Sequence, residues 1–313
     1  MSSSDRSQDG EARQRSQLLK TSARVWLNGK IIRARDARLS IFDRGFLYGD
    51  AVFETVRLYG GRPFLWRRHR KRLQHSLDRL GLPHPENRLE DAIAELSDAC
   101  ALTDAAVRIT VTRGVGEGLI PPNDLSPTLL VTARTIPEEL VVQRRTGVSV
   151  IRLPFGNGGQ SVVTGHKTTS YAAAVQGRMA AARTGAYEAI YVEADGRISE
   201  ATTSNVFAIF GRTLHTPPLE AGCLPGITRQ IVLELAKKAE LRIREVPIEA
   251  DRLDRASEIF LTGSVIEILP VASLDGKALT KIAPGPITTQ LSRGYRQRVQ
   301  RHLRQSRRDS ARS

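Results

Sequence analysis

Four polar features of the sequence combine residue types that can do covalent and acid–base chemistry. Lys167 follows a glycine-rich stretch, 154–165, and a lysine amine can act as a nucleophile once it has lost its proton. Glu200 lies in a run of small polar residues and offers a carboxylate for a protonated ring nitrogen. At a predicted helix start, 226–228, unpaired backbone N–H groups and the helix dipole can hold a phosphate. Arg72 adds a guanidinium, which can bind phosphate through two parallel hydrogen bonds.

Each of these features by itself is also typical of a purely structural role. A lysine is usually solvated, a Pro-Gly pair often marks only a helix start, and an acid in a turn or an arginine on a helix is usually exposed. The combination is more specific, because pyridoxal phosphate chemistry requires a lysine amine, a phosphate cradle, an arginine and an acid for the pyridine nitrogen. The four features together therefore predict a pyridoxal phosphate site.

Seven stretches that follow one another along the chain resemble the class IV, or fold type IV, pyridoxal-phosphate aminotransferases. That group contains the branched-chain aminotransferases, the D-amino-acid transaminases and the aminodeoxychorismate lyases. The resemblance covers about residues 25–276. The stretches are YGDAVFE at 48–54, HRKRL at 69–73, HKTTSY at 166–171, YEA at 187–189, ISE at 198–200 with NVF at 205–207, LPGITR at 224–229, and TGS at 262–264 with EILP at 267–270.

The resemblance implies a role for each matching residue. Lys167 corresponds to the lysine that forms the Schiff base with the cofactor and then transfers protons, and Glu200 to the acid at the pyridine nitrogen. Arg72 corresponds to the bidentate partner of the phosphate. The remaining matches are Leu224, which packs on one face of the ring, Tyr171, which bonds the ring hydroxyl, and Ile227, Thr228 and Ser264, which complete the phosphate cradle.

The implied reaction is a ping-pong transfer of an amino group between an amino acid and a 2-oxo acid. Phe53 and Arg57 match positions of the branched-chain members, which predicts that both bind substrate and that the pair is a branched-chain or apolar amino acid with 2-oxoglutarate. The alternative is an aminodeoxychorismate lyase, which forms 4-aminobenzoate and pyruvate, because TTSY at 168–171 and GD at 49–50 also resemble lyase-like members. A D-amino-acid transaminase is the second alternative, although GLI at 118–120 replaces the Arg-x-His pair of those enzymes.

Hydrophobic periodicity predicts the elements that must position these residues. Asn28-Gly29 is a hairpin turn, 52–59 a strand, and 66–80 a helix with apolar residues every three or four positions. A helix of small residues is expected over 167–184, and another begins after Pro225. With the resemblance, these elements predict an α+β, two-domain fold type IV enzyme with a small N-terminal α/β domain and a larger strand-rich C-terminal domain. The resemblance also implies that the chain forms a homodimer.

Changes in composition along the chain predict five segments. The first is polar and aperiodic, which is typical of disorder, and the last is rich in arginine. The segments are a disordered tail at 1–21, the small N-terminal domain at 22–137, an interdomain linker at 138–147, the large pyridoxal-phosphate-binding domain at 148–292 and a basic C-terminal tail at 293–313.

The net charge of +14 invites a nucleic-acid-binding interpretation, but its distribution argues against one. The tail 293–313 alone holds eight arginines and one acid, and it has no aromatic residue beyond Tyr295 on which bases could stack. We therefore expect a solvated, partly helical tail; a catalytically silent protein that binds RNA or DNA through it is the third hypothesis. Cys100 and Cys223 are far apart, which argues against a disulfide framework and a zinc site, so no metal is expected. No apolar run is long enough for a membrane helix, and we expect a cytoplasmic protein.

Overall fold

The computed structural model describes residues 23–85, 88–154, 161–279 and 283–310. The predicted disordered tail, 1–21, lies outside these ranges, as do residues 155–160 of the glycine-rich stretch before Lys167. The chain divides into two compact units, Met1–Ile136 and Pro137–Ser313.

The described part of the first unit is a six-stranded antiparallel sheet with two long helices. The strand order is β2-β1-β6-β5-β3-β4, and its longest ladder joins β3 to β5 over nine residue pairs. The elements are β1 (Arg24–Leu27), β2 (Lys30–Arg33), the short α1 (Arg44–Leu47), β3 (Ala51–Tyr59), β4 (Arg62–Pro63), α2 (Trp66–Leu80), α3 (Leu89–Ala99), β5 (Asp104–Thr112) and β6 (Leu129–Thr135).

The sequence signals in this unit have clear structural counterparts. Asn28 and Gly29 both adopt positive φ, 45° and 92°, and join β1 to β2 as a two-residue hairpin turn. Leu73 and Leu77 of α2 are almost fully buried, as the three-to-four residue spacing predicts. The helix ends at Gly81, which takes the left-handed conformation that a C-terminal cap requires. The predicted hairpin and this predicted helix are thus both present.

The second unit contains a ten-stranded mixed sheet within the described ranges. The strand order is β12-β11-β10-β14-β15-β7-β8-β9-β13, and β16 pairs with β15 outside this path. The elements are α4 (Glu139–Thr146), β7 (Val148–Pro154), α5 (Ala172–Arg183), β8 (Glu188–Val192), β9 (Arg197–Ala201), β10 (Asn205–Phe210), β11 (Thr213–Thr216), α6 (Ile227–Lys238), β12 (Arg242–Glu245), β13 (Ile248–Glu249), β14 (Glu258–Gly263), β15 (Glu267–Leu274), β16 (Lys277–Ala278) and α7 (Pro286–Ser310).

The helix predicted over 167–184 is shorter than expected and begins only at Ala172. Thr168 and Thr169 are β-branched and disfavour a helix, and the backbone N–H of Tyr171 donates to the carbonyl of Thr169 instead of entering a helical ladder. Lys167 therefore lies in a loop five residues ahead of α5.

Two of the expected segment boundaries differ from the structure. The expected linker, 138–147, contains α4, which belongs to the second unit and buries only Leu140, so its periodic signal is weak. Residues 293–310 of the expected basic tail, 293–313, continue α7, which begins at Pro286. Gly294 does not interrupt α7, because it packs against the side chain of Leu235 on α6.

The two sheets and their helices agree with the predicted α+β, two-domain architecture, a smaller N-terminal unit followed by a larger strand-rich one. In the second unit, two stacked phenylalanines, Phe207 and Phe260, join β10 to β14 at the centre of the sheet, with ring centroids 5.0 Å apart. None of the helices in the described ranges combines the length and the apolarity that a membrane span requires.

Candidate active site

Lys167 and Tyr171 lie together in the loop that precedes α5. The Nζ atom of Lys167 is 3.3 Å from the Oη atom of Tyr171, and both side chains are only half-exposed. The amine is thus held close to a phenol that can exchange a hydrogen bond with it. This is the pairing expected if both residues face the same bound group.

The loop before Lys167 packs against the segment that leads to Leu224. A Cβ on Gly222 would lie 2.7 Å from Cγ2 of Thr164, and a Cβ on Gly165 would lie 4.0 Å from the carbonyl oxygen of Cys223. Gly222 also has a φ of +87°, which only glycine adopts without strain. The close approach therefore depends on glycine, and it brings the lysine loop to the residues just before Leu224.

Glu200 is bonded to this same segment. Its Oε2 atom accepts a hydrogen bond from the backbone N–H of Leu224 at 3.0 Å. The side-chain amide of Asn205 donates to the carbonyl of Leu224 at 2.8 Å. Both backbone polar groups of Leu224 are thereby held, one by the end of β9 and one by the start of β10. The backbone of Leu224 is thus held beside the carboxylate of Glu200.

The helix α6 begins directly after this segment with an open N-terminus. Within the described ranges no side chain caps it, and a Cβ at Gly226 would overlap Oδ1 of Asn205, so only glycine fits there. Ile227 and Thr228 in its first turn are buried. The first N–H groups of a helix need external acceptors, and an anion meets this need.

A polar atom without a partner lies next to the mouth of α6. Thr262 pairs with Asn205 across β10 and β14, and its buried Oγ1 has no hydrogen-bond partner among the described residues. Ser264, half-buried, follows two residues later. A buried hydroxyl without a partner is costly unless a ligand completes it. The residues present therefore fit a phosphate group at this helix mouth.

Tyr191 is a buried phenol whose pKa is affected by Glu200 and by Tyr171 of the lysine loop. Burial raises the pKa of this phenol to about 12, and the negative charges of Glu188 and Glu200, together with Tyr171, add to the effect. Its Oη is buried without a hydrogen-bond partner in the described part of the chain. Sequence reasoning missed Tyr191, because an aromatic residue in a buried strand is typical of any core.

Glu188 is a second residue that sequence reasoning did not assign. It is 1% exposed, and it accepts hydrogen bonds from the hydroxyls of Thr202 and Thr203, the latter at 3.0 Å. These threonines form the turn between β9 and β10, directly after Glu200. The buried carboxylate thus fixes the turn that sets the position of Glu200 and Asn205. A carboxylate among the apolar residues of β8 was the signal available in the sequence.

The first unit contains a separate buried charged cluster around Glu54. Arg72 donates to the Glu54 carboxylate through Nε at 2.7 Å and Nη2 at 2.8 Å, and Nδ1 of His69 lies 2.8 Å from Oε2 of Glu54. Burial alone would raise the pKa of Glu54, but the adjacent Arg72 and His69 outweigh it and hold the pKa well below its usual range. Arg72 thus already forms a bidentate pair, and a phosphate would have to bind at the other edge of its guanidinium.

Replacement of Glu54 by alanine is expected to lower the free energy of unfolding by about 3–5 kcal/mol at neutral pH, because Arg72 then stays buried without its counter-ion. The folded-state pKa of Glu54 is depressed, so this stabilisation is present above the unfolded value of about 4.3 and is lost as pH falls below it. Chemical denaturation at pH 7 and at pH 3 measures both effects. Asp36→Ala is the control: its carboxylate pairs with Arg33 and both side chains are exposed, so a loss of no more than about 1 kcal/mol is expected. Equal losses in the two variants would contradict the assignment.

The two predicted substrate-binding residues also lie in the first unit. Phe53 is 3% exposed, and the guanidinium carbon of Arg108 lies 3.5 Å from the centroid of its ring. Arg57 donates to both oxygens of Asp104, at 2.9 and 2.8 Å. A substrate carboxylate would therefore have to displace Asp104 from Arg57. The sequence could not indicate this pair, because Asp104 is 47 residues away on β5.

Comparison with known proteins gives a consistent result. The family described as "Amino-transferase class IV" matches residues 51–274. A putative branched-chain-amino-acid aminotransferase of Methanocaldococcus jannaschii is 35% identical over 87% of the chain and 95% of that protein. An aminodeoxychorismate lyase of Bacillus subtilis is 33% identical over 80% of the chain and 86% of that protein. A D-alanine aminotransferase of Bacillus licheniformis is 32% identical over 85% of the chain and 93% of that protein.

Solved structures agree with these relatives. The branched-chain amino acid aminotransferase of Escherichia coli superposes with a TM-score of 0.79 at 28% identity, covering 87% of the chain and 92% of that structure. A Mycobacterium tuberculosis structure described as a hypothetical aminotransferase in its PLP-bound form superposes with a TM-score of 0.76 at 28% identity. The match covers 87% of the chain and 98% of that structure.

Proposed function

Because the chain belongs to the class IV aminotransferases, we propose that it moves an amino group between a branched-chain or other apolar amino acid and a 2-oxo acid such as 2-oxoglutarate. The class is pyridoxal-phosphate-dependent, so the predicted cofactor and enzyme class are confirmed. Our proposal concerns the identity of the two substrates, the amino acid and the 2-oxo acid.

One feature of the second unit carries the proposal. The loop with Lys167 packs on the residues just before Leu224, the backbone of Leu224 is bonded to Glu200, and the open N-terminus of α6 follows two residues later. An amine, a carboxylate and a phosphate-binding helix mouth are thus connected through one short segment. This is the donor set that the cofactor needs.

We assign the residues as follows. When bound, pyridoxal phosphate supplies an electron sink for the pair released at the α-carbon of the substrate. Lys167 holds the aldehyde end and moves the proton, and Glu200 keeps a negative charge at the ring nitrogen. We keep Arg72 as the proposed bidentate partner of the phosphate, as the resemblance implies. Side chains or backbone N–H groups that complete the site are Tyr171, Leu224, Ile227, Thr228 and Ser264.

Two kinds of relative support the choice of substrate. The relative with 35% identity and the E. coli structure are both named as branched-chain aminotransferases. The lyase alternative is supported by the B. subtilis relative and by the TTSY that follows Lys167. The D-amino-acid alternative is supported by the B. licheniformis relative, but GLI at 118–120 lacks the Arg-x-His pair.

A substrate panel tests the proposal directly. The purified protein, saturated with pyridoxal phosphate, is incubated with L-leucine, L-valine or D-alanine and 2-oxoglutarate, and glutamate is measured. Glutamate from the L-amino acids supports the proposal. Glutamate from D-alanine alone, or pyruvate from aminodeoxychorismate without any amino acceptor, would overturn the choice of substrate while leaving the family assignment intact.

We also propose that the chain forms a homodimer through an apolar patch on the first unit. The patch consists of large exposed side chains at 39–48 and 115–120, including Phe46 at 74% and Ile120 at 88% exposure. Its two segments are held together by Arg44, which donates to the carbonyls of Gly118 and Leu119. Monomeric proteins rarely expose so many large apolar side chains in one place. A second copy of the chain would bury them.

Replacement of Phe46 by glutamate is expected to convert the dimer into a monomer, because a charge would then lie in the buried patch. Light scattering on a size-exclusion column measures the mass, and the wild type is expected at about twice the chain mass of 34.5 kDa. Val141→Glu, at an exposed valine of α4 in the second unit, is the control and should leave the dimer intact. A monomeric wild type would refute the proposal.

We place the protein in the cytoplasm. Cys100 and Cys223 are both free thiols, and burial raises the pKa of the Cys223 thiol to about 11. A protein of this size that keeps two free thiols suits a reducing compartment. Fractionation of cells that express the full chain would test this location.

A further inference from the structure

The helix α7 has a solvent face that neither the catalytic site nor the fold explains. Its inner face is apolar, with Leu291, Tyr295 and Val299 buried against the rest of the second unit. Its outer face carries four exposed side chains of one type, which we call the arginine stripe: Arg293, Arg296, Arg301 and Arg304.

Among the side chains that the structure describes, the arginine stripe has no acidic partner. Within the described ranges none of its four guanidiniums forms an ion pair, whereas the half-buried Arg298 on the flank of α7 pairs with Glu234. The exposed positions between the arginines are neutral amides, Gln297 and Gln300. The face therefore presents a concentrated positive charge that forms no ion pair with the described residues of the chain.

The geometry of the arginine stripe fits two rows of phosphates. At about 100° per residue, the side chains of Arg296 and Arg301 are about 140° apart around the helix axis. Arg293 and Arg304 point in directions between these two, and their positions are about 16 Å apart along the axis. The major groove of B-form DNA is about 12 Å wide and is flanked by a phosphate row on each side. A helix face over that groove would direct Arg296 to one row and Arg301 to the other.

Other occupants fit the same face less well. Proteins bind single-stranded nucleic acid with aromatic side chains that stack on the bases. Tyr295 is only 2% exposed, and the arginine stripe itself contains no aromatic side chain. A membrane-binding helix inserts its apolar face, and here that face is buried in the protein. Double-stranded RNA has a deep, narrow major groove that side chains cannot enter. Arginine, rather than lysine, supplies every charge of the stripe, which suits bidentate contacts to phosphate.

We propose that the arginine stripe of α7 is a docking surface for the phosphate backbone of duplex DNA, independent of base sequence. The net charge of the chain had suggested nucleic acid only weakly, because a run of arginines in a sequence is usually a solvated face. The structure adds the face itself, the lack of acidic partners for it among the described side chains, and the burial of the opposite, apolar face of the helix. The docking surface does not depend on the substrate proposed above.

Fluorescence anisotropy with a labelled duplex DNA of about 20 base pairs, titrated between about 50 and 200 mM salt, tests the proposal. The wild-type chain is expected to bind, and the logarithm of its binding constant should fall with the logarithm of salt concentration. Each phosphate contact contributes a slope of about −0.9, and two arginines of the stripe are directed to phosphate rows, so changing all four to glutamine should make the slope shallower by about 2. Transaminase activity reports that the variant is folded.

The matched control removes the same charge elsewhere in the second unit. Arg145, Arg183, Arg212 and Arg255 are all exposed, and changing these four to glutamine should leave DNA binding nearly as in the wild type. Equal loss in both variants would mean that net charge alone attracts DNA, which overturns the proposal. Absence of wild-type binding at low salt, or tighter binding of duplex RNA, single-stranded DNA or anionic vesicles, would overturn it as well.

Discussion

Replacing Lys167 with alanine is expected to abolish transamination, with a loss of more than about 10⁴-fold in kcat. The side chain is assigned two tasks, attachment of the cofactor and transfer of the proton at the α-carbon, and a positioned acid–base group alone contributes about 10²–10⁴-fold. The structure supports both tasks, since Nζ is half-buried in a loop and lies 3.3 Å from the phenol of Tyr171. A steady-state assay with L-leucine and 2-oxoglutarate measures the loss.

A chemical readout separates this assignment from simple damage to the protein. Borohydride fixes an amine-linked cofactor, so the intact mass of the wild type should increase by one cofactor while that of Lys167→Ala should not. Lys238→Ala, at an exposed lysine in the last turn of α6, is the control and should behave as the wild type in both assays. Turnover or a fixed cofactor in Lys167→Ala would refute the role of this lysine.

Replacing Glu200 with glutamine is expected to lower kcat by about 10²–10³-fold, which is the usual cost of removing one electrostatic contact to the charge that develops in the reaction. Glutamine keeps the shape of glutamate, and its carbonyl oxygen can still accept the N–H of Leu224. The substitution therefore removes the negative charge that we assign to the ring nitrogen, while the hydrogen bond to the backbone is retained. This makes it a sharper test than alanine.

Two measurements accompany the kinetics of Glu200→Gln. Cofactor content, determined after release by alkali, should match the wild type, and the unfolding temperature should change by only a few degrees, about the effect of 1 kcal/mol. Glu249→Gln, at an exposed carboxylate on β13, serves as the control. Wild-type kcat in Glu200→Gln would show that the carboxylate does not act on the ring nitrogen.

The sequence alone predicts the elements whose causes are local. The Asn28-Gly29 turn, the amphipathic helix α2 and the start of α6 after Pro225 are each set by residues within a few positions, through φ preferences and apolar spacing. The chemical types of the site, an amine at Lys167 and a carboxylate at Glu200, were also visible. Their meaning came from the resemblance to a family, because each residue alone has an ordinary interpretation.

Residues near turns and helix ends were predicted less well. The helix α5 begins at Ala172 because the threonines before it favour other conformations, a local effect that the pattern of small residues concealed. The segment expected as a linker is a helix with one buried residue, Leu140. Both helices bury only a few side chains. The apolar spacing in the sequence therefore marks neither where they begin nor where they end.

Only the tertiary structure decided which polar groups meet. Glu54 lies with Arg72, Arg57 with Asp104, and Glu200 with the backbone of Leu224, over separations of 18, 47 and 24 residues. No periodicity encodes such pairs, because they arise when strands and loops that are distant in sequence pack together and buried charges must find partners. The sequence thus determined the chemistry that is available, and the packing of the chain decided which of these groups act together.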